Sequence, residues 1–200
     1  MTLTEFINGY DREGVVVLLE GKREVLEVDR PRLVEIGRTL TTNTRHMRFR
    51  SGNAGGSDEL FAEGVASVDA SRMQVILPYK GHRNRQNKGY ESIALEEIDL
   101  AREPEIVYLS KKNAKTSKLI DPYVSGVVNR ITTKAAYILR DTVKVLGTGS
   151  IPPAAFGIFY DDLSDPMKGG TGHTMKVCIE KDVPLIDQRT WFSWLGVDAG

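Results

Sequence analysis

Two glycine-rich segments hold the residues best suited to chemistry: Ser51-Gly52-Asn53-Ala54-Gly55-Gly56-Ser57-Asp58 and Gly169-Gly170-Thr171-Gly172-His173-Thr174. Glycine lacks a Cβ, so its backbone can approach an anion closely and reach positive φ. A helix that starts from such a turn aims its free amide hydrogens and its positive dipole end at the same point. Both segments are therefore expected to cradle phosphate. Thr171 and Thr174 add hydroxyl donors for a phosphate or ribose oxygen. Asp58 falls where it would either cap the second of its flanking elements, a helix, or accept a hydrogen bond from a sugar hydroxyl. Arg23 follows an apolar run and suits either a surface ion pair or a bidentate clamp on phosphate. Arg140-Asp141 fits an internal charge pair, an exposed helix face or a ligand contact.

These turns need strands before them and helices after them, and the periodicity supplies both. Gly14 to Glu20 is a β-branched run read as a strand buried on both faces. Pro31 begins a helix expected over 29–42. His46 to Arg50 is a second strand, and a helix follows over 57–66. Met73 to Leu77 is a third strand, stopped by Pro78. Tyr79 to Tyr90 carries Lys80, His82, Arg83, Arg85 and Lys88 without an acid and is expected to be a loop. A short helix is expected over 93–101. The stretch from 107 to 118 is basic again, with Lys111, Lys112, Lys115 and Lys118. A long helix spans about 129–146, capped by Gly147. Ala154 to Tyr160 is a strand, 169–181 a helix and 183–186 a last short strand. The segment 1–13 is expected to be irregular. The tail 187–200 is expected to bring Trp191, Phe192 and Trp194 onto the core.

Alternation of strand and helix predicts an α/β domain of Rossmann-like, three-layer design, with a mostly parallel twisted sheet and helices on both faces. A single domain over 1–200 is expected, because 200 residues suffice for one substantial core. In such sheets the ligand crevice lies beyond the carboxyl ends of the strands, where all three informative turns fall.

Formal net charge is zero, so nothing global draws the chain to nucleic acid or an anionic membrane, and any basic site must be local. The one cysteine, Cys178, cannot form an internal disulfide and is expected to be a small buried residue, which fits a reducing, cytoplasmic setting. The amino terminus lacks the basic start and apolar run of a signal peptide. His46, His82 and His173 have no ligand spacing, and Asp161, Asp162 and Asp165 read as solvated acids, so no metal is expected.

Together the turns resemble the SLOG superfamily, the Rossmann-like group that contains the DNA-processing protein A family and the lonely-guy phosphoribohydrolases. Gly21-Lys22-Arg23 is similar to the Gly-Ser-Arg that ends the first strand of the DNA-processing branch. Ser51, Gly52, Ala54, Gly56 and Asp58 match its Ser-Gly-x-Ala-x-Gly-x-Asp. Arg140-Asp141 approximates its Arg-Asn pair, and Gly170-Thr171 through Thr174 its late Ser-Gly-Thr-x-x-Thr turn. The resemblance covers about 15–186. Taken with the glycine turns themselves, it gives an expected ligand-binding site of Arg23, Ser51, Gly52, Asn53, Gly55, Gly56, Asp58, Arg140, Asp141 and Gly169 through Thr174, and homodimers are common in that group.

The lonely-guy motif Pro-Gly-Gly-x-Gly-Thr-x-x-Glu is not met. His173 stands at its threonine, and Met175-Lys176-Val177 occupy the carboxylate region. Neither Met nor Val can act as a general acid or base. The expected function is thus binding of a nucleotide or nucleotide-derived ligand, its identity open. One alternative is an enzyme acting at a nucleotide's ribose or phosphate, for which Asp58, Asp161 or Glu20 would have to serve. Another is single-strand nucleic-acid binding, supported by the two basic stretches, with Tyr79, Tyr90 and Tyr108 available for stacking.

Overall fold

The computed structural model describes residues 1–197. Six parallel strands form one sheet in the order β4-β3-β2-β1-β5-β6, with β1 Val16–Gly21, β2 Arg48–Ser51, β3 Met73–Leu77, β4 Glu91–Ala94, β5 Phe156–Tyr160 and β6 Leu185–Ile186. The helices are α1 Leu3–Tyr10, α2 Arg30–Asn43, α3 Ser57–Asp69, α4 Pro104–Lys111, α5 Ser117–Val124, α6 Thr133–Leu146, α7 Gly169–Glu180 and α8 Gln188–Trp191. The α/β, Rossmann-like expectation holds.

Period-two alternation divides the sheet between two cores. Val17 and Leu19 of β1, Phe49 of β2 and Val75 of β3 meet Leu33, Ile36 and Leu40 of α2 and Phe61 and Val65 of α3. The opposite face of β3 meets Ala135, Leu139 and Val143 of α6 and Ile106 of α4, while Leu18 meets Met175 and Cys178 of α7. That second face also receives Glu20, Arg50 and Gln74, polar residues at the alternate positions. Arg50 donates to Gln74 Oε1 at 2.6 Å and to the carbonyl of Lys144 at 2.9 Å. A polar seam therefore runs beneath α6 toward the carboxyl edge of the sheet. Cys178 is buried, and burial pushes its thiol up to about 12.

Two expectations are corrected, and two further segments gain a definite form. The first residues are not irregular: Thr2 and Glu5 form a reciprocal capping box that starts α1, and Phe6 is buried against Phe156. Residues 93–101 are not a helix. Glu91–Ala94 instead pairs with β3 as an edge strand, followed by short 3-10 turns at Leu95–Glu97 and Leu100–Arg102. The basic stretch 107–118 is largely helical, within α4 and the start of α5. The tail 187–197 folds as α8 and a 3-10 turn, with residues 198–200 outside the described residues. Trp191 is fully buried, and its indole N–H donates to the carbonyl of Phe159 at 2.8 Å, which places the tail in the core as expected.

Candidate functional site

β1 is flanked by β2 on one side and β5 on the other, so the chain switches direction across the sheet at this strand. The crevice at such a switch point is where α/β sheets place ligands. A cavity of about 380 Å³ opens there. The turn after β1 supplies Gly21, Lys22 and Arg23, the turn after β2 supplies Ala54 and Asp58, and the start of α7 supplies Gly169, Gly170 and Thr171. Three segments remote in sequence thus share one mouth. Tyr137, Ile138, Arg140, Asp141 and Lys144 of α6 complete its wall.

The floor is a buried charge network. Lys144 Nζ donates to Glu20 Oε2 at 2.6 Å and lies 2.8 Å from Asp141 Oδ1. Arg140 donates to the same Asp141 oxygen through Nε at 3.1 Å and Nη2 at 2.8 Å, and through Nη1 to the carbonyl of Gly52 at 2.8 Å. Burial penalises every charge here, but the pairing decides the outcome. Desolvation raises the Asp141 carboxyl, and Arg140 and Lys144 overcome it and hold it below its ordinary range. Desolvation likewise lowers Lys144, and Asp141 with Glu20 reverse the sign and hold it up. Glu20 goes the other way. Desolvation, with Asp58 and Asp141 nearby, outweighs Lys144 and pushes its carboxyl up to about 7. Its Oε1 is buried without a hydrogen-bond partner.

The turn after β2 differs from a vacant phosphate cradle. Asp58 does not cap its own helix, whose N-cap is Gly56. Its carboxylate accepts from the amides of Gly21 at 3.3 Å, Gly52 at 3.0 Å and Ala54 at 3.2 Å. The anion held by this turn is the protein's own, and it staples the ends of β1 and β2 together. A Cβ at Gly52 would lie 2.7 Å from the Arg140 guanidinium carbon, and one at Gly55 would lie 3.2 Å from Arg83 Nη1. These glycines make room for arginines. Gly56, at φ +83°, lets the turn pass the backbone of Arg23, where a Cβ would lie 2.1 Å from the Arg23 carbonyl oxygen. Ser51 is buried and accepts from the Asn53 amide at 3.3 Å. Asn53 in turn donates to the carbonyl of His82 at 3.2 Å, tying in the following loop.

The turn at α7 is open. Gly169 and Gly170 are exposed at the mouth, and a Cβ at Gly170 would approach Asp141 Oδ2 to 2.9 Å. Beyond Thr171 the segment turns inward. Gly172 packs on the backbone of Met167, Thr174 donates to the carbonyl of Gly170 at 3.3 Å, and buried His173 faces Thr142 at 2.9 Å. Of the residues expected at the site, Arg23, Asp58, Arg140, Asp141, Gly169, Gly170 and Thr171 line the cavity. Ser51, Gly52, Asn53, Gly55, Gly56, Gly172, His173 and Thr174 support it from behind or lie outside its lining.

Sequence reasoning missed Lys144 and Tyr137. Lys144 lies four residues after Arg140 and three after Asp141, a spacing that puts all three on one side of α6 as a buried polar stripe. Tyr137 belongs to an aromatic cluster at the rim: its ring centroid is 5.7 Å from His82 and 6.4 Å from Tyr79, and Tyr79 is 5.0 Å from His82. Burial, with Arg140, Arg83 and Arg23 nearby, pushes the His82 imidazole down to about 4, so that ring is uncharged near neutrality. Lys22, Arg23 and Lys168 bring cations to the same rim.

No protein-family model and no curated protein matches the sequence. Among solved structures the fold is similar to that of DNA processing protein A from Helicobacter pylori, a protein described for its unique single-stranded DNA binding mode. The likeness has a TM-score of 0.51 and 14% identity, and it covers 93% of this chain and 68% of that one. At that identity the likeness concerns the fold. No helix among the described residues is long and apolar enough to cross a membrane.

Proposed function

We propose that this protein binds single-stranded nucleic acid, seating one unpaired nucleotide at the mouth of the β1–β5 crevice. The observation that carries the reading is the side-by-side placement of an aromatic cluster, Tyr79–His82–Tyr137, and a cationic, glycine-lined cavity. Bases stack on aromatic rings whatever their sequence, while phosphates need cations and bare amides. The rim supplies both, with Lys22, Arg23 and Lys168 beside the exposed backbone of Gly169 and Gly170. A neutral His82 favours stacking without adding a charge. The fold shared with a protein that binds single-stranded DNA supports the same reading, as do the motifs that resemble the SLOG superfamily.

Fluorescence anisotropy with a labelled oligothymidylate tests it, with the matching duplex and thymidine monophosphate as competitors. The expected result is binding of the single strand in preference to the duplex, weakening with salt by about 0.7 in log–log slope per phosphate contact. Absence of salt-dependent strand binding overturns the reading. The cavity volume of about 380 Å³ favours a second reading, a site for a free nucleotide or nucleotide-derived ligand. A monophosphate that binds as tightly as the oligomer would decide for that one.

A further inference from the structure

A second concavity of about 580 Å³ adjoins the first, and Lys168 and Gly169 line both. One wall is the α4–α5 connection with Lys112 and Lys115. The other is the outer face of α7 with Lys176 and Glu180. Leu109, Met167 and Val177 form an apolar floor, and His173 closes the groove from below. Burial, helped by Lys144 and Lys176 and opposed by Asp141, holds the His173 imidazole below its ordinary range. Four lysines face one glutamate here in a chain whose net charge is zero. Lys112 pairs with that glutamate and Lys168 with Asp165, whereas Lys115 and Lys176 are exposed and have no ion-pair partner among the described residues. Cations along the walls, an apolar floor and continuity with the crevice match a phosphodiester chain whose sugars and bases lie inward.

We infer that the groove between α7 and the α4–α5 connection carries the nucleotides flanking the one seated in the crevice, with Lys115 and Lys176 on successive phosphates and Lys168 at the joint. The inference rests on the proposed strand binding and adds its path: from the Tyr79–His82–Tyr137 cluster, across Gly169, and along the outer face of α7. A free nucleotide would need no such track.

The test compares oligothymidylates of about 4 and about 12 nucleotides, lengths within the site sizes of single-strand binders. The variants are the wild type, a Lys115→Glu/Lys176→Glu double substitution and an Arg12→Glu/Arg45→Glu control. The control carries the same charge change on exposed residues near the opposite, amino-terminal edge of the sheet. In the groove variant, affinity for the long strand is expected to fall tenfold or more, on the order of the charge-pair losses seen with phosphate contacts. Its log–log salt slope should shrink by about 1.4, the value for two single-strand phosphates. Short-strand affinity should stay within about twofold, and the control should keep both affinities. Wild-type strand binding with an unchanged long-strand affinity in the groove variant overturns the track and leaves the crevice reading standing. Equal losses in the control overturn it too, as does an acidic peptide that displaces the long strand as well as a second strand does. A wild type that binds no strand removes the crevice reading, and the track with it.

Discussion

Lys144 reaches Glu20 across the sheet edge, Nζ to Oε2 at 2.6 Å, and leaves the other oxygen of that carboxylate buried and unpaired beneath the cavity. The first prediction concerns stability. The Glu20 carboxyl sits near pH 7 in the folded protein against an ordinary value of 4.5. Its contribution is therefore full below about pH 4.5 and is lost as pH rises through about 7. Glu20→Gln keeps the shape and removes the charge. It is expected to match the wild type near pH 4.5 and to exceed it at pH 8 by up to about 3 kcal/mol. Melting curves across pH check this, and parallel profiles for the two proteins would contradict it.

The same carboxylate predicts how ligand affinity follows pH. Glu20 lines the cavity, so its ionisation places a negative charge under the incoming phosphate. Affinity for an oligothymidylate is expected to fall between pH 6 and 8 by several-fold, on the scale of like charges near a protein surface. Glu20→Gln should flatten the profile. Anisotropy titrations at constant ionic strength measure it, and an equally steep fall in the variant would exclude Glu20 as the cause.

Asp58 carries a structural prediction. Its carboxylate is the acceptor for the amides of Gly21, Gly52 and Ala54, which belong to the ends of two strands. Asp58→Ala leaves these amides without that partner at the carboxyl edge of the sheet. A loss of about 3 kcal/mol or more is expected, since a buried unsatisfied donor costs about 1–3 kcal/mol. Urea unfolding reads it out. Stability within about 0.5 kcal/mol of wild type would mean that water replaces the carboxylate at no cost.

That prediction also marks where sequence reading ran out. The short apolar runs of β1, β3 and β5, with Gly or Pro close to their ends, announced strands, and the glycine turns announced where the sheet opens. β4 was hidden because Glu91 and Ser92 are exposed on an edge, so the segment lacks the apolar signal of its neighbours. α4 and α5 were hidden because each is only eight residues long and carries a proline, Pro104 at the start of one and Pro122 inside the other. At the site, the motif Ser51 to Asp58 specified the turn correctly but not its occupant, because a carboxylate six residues along the chain can fold back onto the amides that an external anion would use. Nor does any local pattern pair Glu20 with Lys144. They are 124 residues apart, and only the sheet order places them opposite one another.

The aromatic rim yields the prediction closest to function. Tyr79 is 37% exposed and Tyr137 half-buried, so neither ring is a core element on which the fold depends. Tyr137 also has the Arg140 guanidinium 5.5 Å from its ring, a contact that orients the face toward the cavity wall. Replacing either ring with leucine preserves an apolar side chain but removes the flat π surface on which a base would lie. Stacking contributes about 1–3 kcal/mol per base, so Tyr79→Leu or Tyr137→Leu is expected to weaken oligothymidylate binding by roughly fivefold to a hundredfold. The salt slope should stay unchanged, because no phosphate contact is lost. Melting temperatures should move by only a few degrees, as for other partly exposed substitutions. Arg23→Ala supplies the complementary pattern, a shallower salt slope with stacking intact. If the leucine variants alter the salt slope and Arg23→Ala does not, base and phosphate lie the other way round in the crevice.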